Sequence, residues 1–273
     1  MDIRGVPAID VHCHYGVSYS IYPGFMEEFS TADEHLVMRR LTAANIRCAA
    51  VSPMLGLSPR GANDPVAGNI EAREVCARCA PLFQWVVVDP MKPASFKQAE
   101  EMLKDSKCAG VKIHPEEHLY HIKEYGSRIF EWAAKHKAIV LSHSGEERSN
   151  PLHFVEYADA FPEVRIILAH IGCGWDGDVT RQVRAVLASK HGNIYADTSS
   201  AKSVTPGLIE WAVREAGPEK VMFGTDTPCY HAAMQRARID GAEMEDEQKL
   251  DVLFRTALSV FGGALEEYYN DMT

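Results

Sequence analysis

Eight times along this chain a short, nearly continuous apolar run is followed by a stretch with helical spacing, and that rhythm limits the fold more than any other feature. The runs cover residues 8–16, 47–54, 82–89, 109–114, 138–143, 165–170, 193–197 and 220–226. Helical patterns occupy 31–44, opened by Thr31-Ala32-Asp33-Glu34 as a capping box, then 69–79, 95–104, 128–135, 152–160, 180–189 and 208–216. A last helix carries Leu250, Leu253, Phe254, Ala257, Leu258 and Phe261, with Gly262 as its stop. Strands this apolar belong to a parallel sheet covered by helices. Eight such units in 273 residues predict an α/β fold, a (β/α)8 TIM barrel, with an open doubly wound sheet as the structural alternative. No linker, low-complexity tract or composition shift divides the chain, so residues 1–273 are expected to form one domain.

In such a barrel, catalytic residues gather at the C-terminal ends of the strands. Strand one ends in Asp10-Val11-His12-Cys13-His14, strand four in Lys112-Ile113-His114, strand five in His143, strand six in His170 and strand eight in Asp226. Strict alternation would put Ala8, Asp10, His12 and His14 on one face, and Ile9, Val11 and Cys13 on the other. The same rule groups Ile139 and Leu141 with His143, Ile166 and Leu168 with His170, and Met222 and Gly224 with Asp226, all facing the axis. A lone strand-end histidine is more often an ordinary polar contact. Four strands ending in imidazole, beside a fifth ending in aspartate, point to a metal site. Neutral nitrogen donors with one carboxylate suit Zn2+ with a position open to water, and Mn2+, Fe2+, Co2+ and Ni2+ accept similar donors.

Composition narrows the partners. The net charge is 28 − 38 = −10, which argues against nucleic acid and against an anionic membrane surface. No apolar run approaches the ~20 residues a membrane span needs. Met1-Asp2-Ile3-Arg4-Gly5 carries no apolar signal region, and the cysteines at 13, 48, 76, 79, 108, 173 and 229 are scattered and odd in number. A cytoplasmic protein acting on a small molecule is therefore expected. Cys76 and Cys79 form a C-x-x-C inside a helical pattern, with no second pair to complete a zinc site. Cys173 and Cys229 read as packing residues near the site. Ser142 and Ser144 alternate away from His143, so neither serves as a triad nucleophile.

The strand ends and their neighbours form a spaced series. It runs Asp10-Val11-His12-Cys13-His14, Gly110-Val111-Lys112-Ile113-His114-Pro115, Ser142-His143-Ser144-Gly145, Ala169-His170-Ile171-Gly172 and Phe223-Gly224-Thr225-Asp226-Thr227-Pro228. From Asp10 to the last helix it resembles the amidohydrolase superfamily, and more narrowly the amidohydrolase-2 branch of metal-dependent hydrolases and non-oxidative decarboxylases. The resemblance implies one divalent metal, Zn2+ first, held by His12, His14, His143 and Asp226, with His170 polarising the bound substrate or water. Other superfamily members bridge two ions with a carbamylated lysine on strand four, which would bring a second metal to Lys112 and His170. With one metal, Lys112 is a substrate contact or joins a polar network with Asp10 or Asp226. The family's last helix often starts with Asn-Ala, whereas Arg255-Thr256-Ala257 takes that place here. A homodimer is implied by the resemblance alone.

The expected function is a metal-dependent hydrolase that uses activated water on an ester, lactone or amide-like bond of a small carboxylated substrate, with Asp226 moving the proton. The alternative is non-oxidative decarboxylation of an unsaturated or aromatic carboxylic acid. A non-catalytic ligand-binding barrel is a third reading. Lys112, His114, Arg60 and Arg148 are expected to meet the substrate, with Trp175 flanking the pocket. Loops 15–30, 55–64 and 227–247, carrying Tyr19, Tyr22, Phe25, Tyr230 and His231, would set specificity.

Overall fold

The apolar runs become strands β1 (Ala8–Tyr15), β2 (Ile46–Pro53), β3 (Leu82–Val87), β4 (Cys108–Ile113), β5 (Val140–Ser142), β6 (Ile166–Leu168), β7 (Ile194–Asp197) and β8 (Val221–Met222). They belong to a computed structural model that describes residues 2–18 and 25–271, so Tyr19 and Tyr22 lie outside the described residues. The strands form one parallel sheet in chain order. Its two ends meet: Val11 N–H donates to Phe223 O at 3.0 Å, and Asp226 N–H donates to His12 O at 2.7 Å. The sheet closes as the expected (β/α)8 barrel, and closure removes the edges at which chains pair and aggregate.

Two apolar layers decide which way each strand faces. Ile9, Val11, Phe83, Trp85, Leu141 and Ile167 fill the barrel interior, while Val51, Val111, Val140, Ile166 and Leu168 pack with the surrounding helices. Each fully buried side chain of this size contributes roughly 1.5–3 kcal/mol, so a one-residue slip of a strand would be costly. Trp85 is the largest interior side chain and donates its Nε1–H to Val11 O at 2.9 Å. Residue 110, on the adjacent strand, has φ +150°, and a Cβ there would stand 2.7 Å from the Trp85 ring and 2.5 Å from Ile139 O. Only glycine fits.

Strict alternation fails in two strands, both next to the cavity. In β1 the register passes from Asp10↔Ala49 to Cys13↔Val51, so three steps along β1 match two along β2. That extra residue is a bulge. Ile9 and Val11 consequently point into the barrel rather than outward, and His12 and His14 follow them. In β6, Ile167 and Ala169 face inward while Ile166 and Leu168 face the helices, the reverse of the expected grouping. His170 still reaches the axis because its backbone turns left-handed, at φ 71°. Asp226 does the same at φ 57°. Such backbone costs of order 1–3 kcal/mol and persists where surrounding bonds impose it.

Element ends move for local reasons. The helix Pro65–Arg78 starts four residues early, because Asp64 accepts Ala67 N–H at 3.0 Å and Pro65 suits a first turn. Asp33, not Thr31, caps the helix Glu34–Ala43, taking Leu36 N–H at 2.7 Å. Past Gly262, at φ 56°, the chain does not stop but enters the helix Gly263–Asp271, which brings Leu265 and Tyr269 against the interior layer. All seven cysteines are unpaired. Among the described residues, no helix is long and apolar enough to cross a membrane.

Candidate metal centre

The C-terminal ends of the strands open into a cavity of about 590 Å3 that contains His12, His14, Lys112, His143, His170 and Asp226. Glycine makes the meeting possible. A Cβ on Gly224 would come within 3.1 Å of the Cβ atoms of both His12 and Ser199, so β8 yields room for side chains from β1 and β7. Asp10 does not enter the cavity. It braces β1 to the chain after β8, accepting from Thr225 N–H at 3.0 Å, from Thr225 Oγ1 at 2.5 Å and from His12 N–H at 3.0 Å.

Hydrogen-bond commitments leave several lone pairs facing one another. His12 Nδ1 lies 2.9 Å from Asp197 Oδ2 and so carries the proton, which leaves Nε2 bare. His170 Nδ1 likewise donates to Ser199 O at 2.7 Å. His143 Nε2 faces Glu146 Oε1 at 2.8 Å, and its Nδ1 lies 3.1 Å from His170 Nε2. His12 Nε2 and His14 Nε2 stand 3.2 Å apart, and Asp226 Oδ1 is 3.4 Å and 3.0 Å from them. Tetrahedral donors at 2.0–2.1 Å from an ion are separated by about 3.3–3.4 Å. His12, His14 and Asp226 therefore fit a divalent cation as they stand. His143, the fourth expected ligand, sits beside His170 rather than in that triple.

Charge states agree with this fit. Burial pushes His12 down to about 3, with the Lys112 charge adding to the effect, and pushes His170 down to about 4. Both rings stay neutral, as ligands must. Burial alone would raise the Asp226 carboxyl, but the His14 hydrogen bond holds it below the usual carboxylate range. Lys112 is fully buried, its ammonium 2.8 Å from His12 Nε2, and burial lowers it to about 8. Its hydrogen-bonded partner is His12 rather than Asp10 or Asp226.

The expected substrate contacts divide. His114 lines the cavity, stacked on His143 with ring centroids 4.1 Å apart, and burial holds it well below its ordinary value. Arg60 lines the mouth, where Nε and Nη2 donate to Glu117 Oε1 at 3.2 Å and 2.8 Å. Among the described residues, Arg148 and Trp175 are not part of the lining. Buried Glu116 draws Arg148 away, accepting its N–H at 2.8 Å and Nη1 at 3.3 Å. Trp175 lies 47% exposed under the Arg181 guanidinium, 4.0 Å from its ring centroid. Ser142 and Ser144 donate to the backbone oxygens of His143 and Ala169, which removes both as nucleophiles. Cys173 lines the cavity with its thiol raised by burial, unlike a reactive thiolate.

Three functional positions escaped the sequence reading. Asp197 closes β7 on the same strand-end position as the expected metal ligands, and its local sequence carries no imidazole to mark it. Ser199 follows two residues later. Glu146, in the loop after β5, carries no sequence signal beyond its distance from His143.

Structural comparison places the chain beside known barrels. It matches a 2,6-dihydroxybenzoate decarboxylase from Rhizobium with TM-score 0.74 and 12% identity, over 93% of this chain and 98% of that one. A dihydroxybenzoic acid decarboxylase from Polaromonas, with bound manganese and the inhibitor 2-nitroresorcinol, matches with TM-score 0.70 and 13% identity, over 93% and 96%. A 5-carboxyvanillate decarboxylase from Novosphingobium aromaticivorans, with manganese and 4-hydroxy-3-methoxy-5-nitrobenzoic acid, matches with TM-score 0.73 and 13% identity, over 94% and 96%. At such identities the likeness concerns the fold. No curated protein sequence matches significantly. The amidohydrolase profile, however, matches residues 9–263, nearly the whole barrel with its strand-end series. The chain belongs to the amidohydrolase family and is an enzyme of that superfamily.

Proposed function

We propose that this enzyme is a metal-dependent decarboxylase that removes CO2, without oxidation, from an aromatic or unsaturated carboxylic acid. One observation carries the reading: the His12–His14–Asp226 donor set lies beside the buried Lys112 ammonium on the floor of one cavity. A divalent cation there, when bound, supplies a Lewis acid for the substrate's carboxylate and a neighbouring oxygen. Zn2+, favoured by the donor types, and Mn2+, present in two of the neighbours, are the ions to test first. That neighbours of this fold decarboxylate ring acids supports the reaction class by analogy.

The chain's own groups supply the rest. A cavity of about 590 Å3 holds a single-ring acid. Lys112 from the floor and Arg60 from the mouth present positive charge to the carboxylate. The carbon–carboxylate bond breaks, its electron pair stays on carbon, and CO2 departs. Asp226 takes up one proton from water and passes it to that carbon. The Asp226 carboxyl is ionised at rest, and a substrate carboxylate beside it adds a like charge that raises its proton affinity. His170 Nε2 faces the same space and orients the substrate oxygen.

Hydrolysis is the second reading, favoured by that same ionised Asp226, since a general base for water needs this state. The test is a panel of hydroxylated benzoates and unsaturated acids, run beside esters, lactones and amides with Mn2+- or Zn2+-loaded protein. CO2 release from the acids, abolished by a chelator, is the expected result. Turnover confined to the esters, lactones or amides would overturn it.

A further inference from the structure

Asp197 and Ser199, at the end of β7, lie between two imidazoles that come from β1 and β6. We propose that Asp197, with Ser199, is a positioning residue that locks both His12 and His170 in the Nδ1–H tautomer and so aims both Nε2 lone pairs into the cavity. The proposal deepens the metal-site reading given above.

Every atom facing either Nδ1 is an acceptor. Asp197 is fully buried, and its Oδ2 takes His12 Nδ1–H at 2.9 Å. Its Oδ1 takes the backbone N–H of His170 at 2.9 Å and of Ser199 at 3.0 Å, together with the Ser199 hydroxyl. With that hydroxyl hydrogen committed, Ser199 Oγ can only accept, and it stands 2.9 Å from His12 Nδ1 and 2.9 Å from His170 Nδ1. The Ser199 carbonyl accepts from His170 Nδ1 at 2.7 Å. A bare Nδ1 on either ring would face oxygen lone pairs with no donor, a costly arrangement for buried groups. The bond to His170 N–H also secures the left-handed turn, at φ 71°, that brings this ring to the axis. Asp197 thus sets the state of His12 directly and Ser199 that of His170, two rings whose centroids are 4.9 Å apart.

The isosteric variant Asp197→Asn gives a sharp test. Three donors already point at Oδ1, so the amide oxygen takes that side and the amide NH2 is turned toward His12 Nδ1. A donor there leaves Ser199 Oγ, at 2.9 Å, as the one acceptor at His12 Nδ1 and shifts this ring toward the Nε2–H tautomer against the Lys112 ammonium, while His170 keeps Nδ1–H through Ser199 O. The measurement is a long-range proton–nitrogen correlation spectrum of metal-free protein with 15N-labelled histidine. His12→Gln and His170→Gln assign the two signals. Wild type should show protonated Nδ1 and bare Nε2 on both rings. Asp197→Asn should shift the His12 signals alone toward Nε2–H and weaken Mn2+ binding, followed by the electron paramagnetic resonance of free Mn2+, by about 10–100-fold. An Nε2–H tautomer at either ring in the wild type would overturn the proposal, whether or not the variant folds. So would a folded Asp197→Asn protein with an unchanged His12 signal and unchanged Mn2+ affinity. Because the spectra need neither substrate nor turnover, a failure here is distinguishable from a failure of the decarboxylase reading.

Discussion

The floor and the mouth of the cavity are built on different principles. On the floor, His12, Lys112 and Asp197 are fully buried and come from the ends of β1, β4 and β7, each bonded to another strand's side chain. At the mouth, Arg60 and Glu117 keep 35% and 22% of their side-chain surface, Glu146 keeps 39%, and all three sit on loops. Buried polar groups are costly unless satisfied, so the floor is held to one geometry. Exposed ion pairs are worth only about 0–1 kcal/mol, so the mouth can be remodelled at little cost to the fold. On the proposed reading the floor carries the chemistry and the mouth selects what reaches it.

Changes on the floor should therefore act on kcat, and changes at the mouth on KM. The largest effect is expected from Asp226→Asn. It keeps the shape but removes the proton carrier and one carboxylate donor to the metal, and kcat should fall by about 10²–10⁴ at saturating Mn2+ with the thermal transition little moved. Activity within ten-fold of wild type would mean that the proton travels by another route. Arg60→Ala comes next. Losing one charge-assisted contact at a partly exposed site should raise KM about ten-fold and leave kcat within about three-fold, as steady-state kinetics on the best acid of the panel would show. A fall in kcat alone would place Arg60 with the floor.

The third prediction concerns stability rather than rate. Burial raises the Asp10 carboxyl from 3.8 to about 7, against the hydrogen bonds from Thr225 and His12. In the unfolded chain that proton leaves near pH 3.8, so the group favours the folded state below this pH, and the advantage is lost as pH rises through about 7. Asp10→Asn has no charge to bury. Its Tm relative to wild type should rise by a few degrees between about pH 5 and pH 8 in metal-free protein. A difference that does not change with pH would show that Asp10 is ionised throughout. The smallest effect belongs to Trp175→Ala, beyond even the mouth. Its exposed contact with Arg181 is worth about 0.5–1 kcal/mol, and kcat/KM should stay within about two-fold. A larger loss would bring Trp175 into the substrate's reach.

The same division explains what could be read from the sequence. The barrel was legible because its eight apolar runs each obey a local periodicity, and most of the floor was legible because strand ends converge in this architecture. Alternation nonetheless misassigned Ile9, Val11, Ile166 and Leu168, since a bulge in β1 and a left-handed residue after β6 change the facing of neighbours without altering the apolar pattern. Asp197 was missed although it ends a strand, because its partner His12 is 185 positions away and only closure brings them together. Arg148 was misplaced for the opposite reason. A loop arginine after a barrel strand looks like a substrate contact until buried Glu116, 32 positions upstream, is seen to hold it. Long-range pairing, invisible in a local pattern, accounts for Asp197 and Arg148, and local backbone irregularity for the four apolar residues.

On the proposed reading this floor, with its metal bound, cleaves a carbon–carboxylate bond and returns a proton to carbon. The most direct measurement runs the Mn2+-loaded enzyme with the best acid of the panel in deuterated water and, separately, in 18O-labelled water. Decarboxylation predicts one CO2 per turnover, one deuterium on the carbon that carried the carboxylate, and no 18O in the organic product. A product that gains 18O in a new carboxyl or hydroxyl group, with no CO2 released, would contradict it and establish hydrolysis on the same ligands.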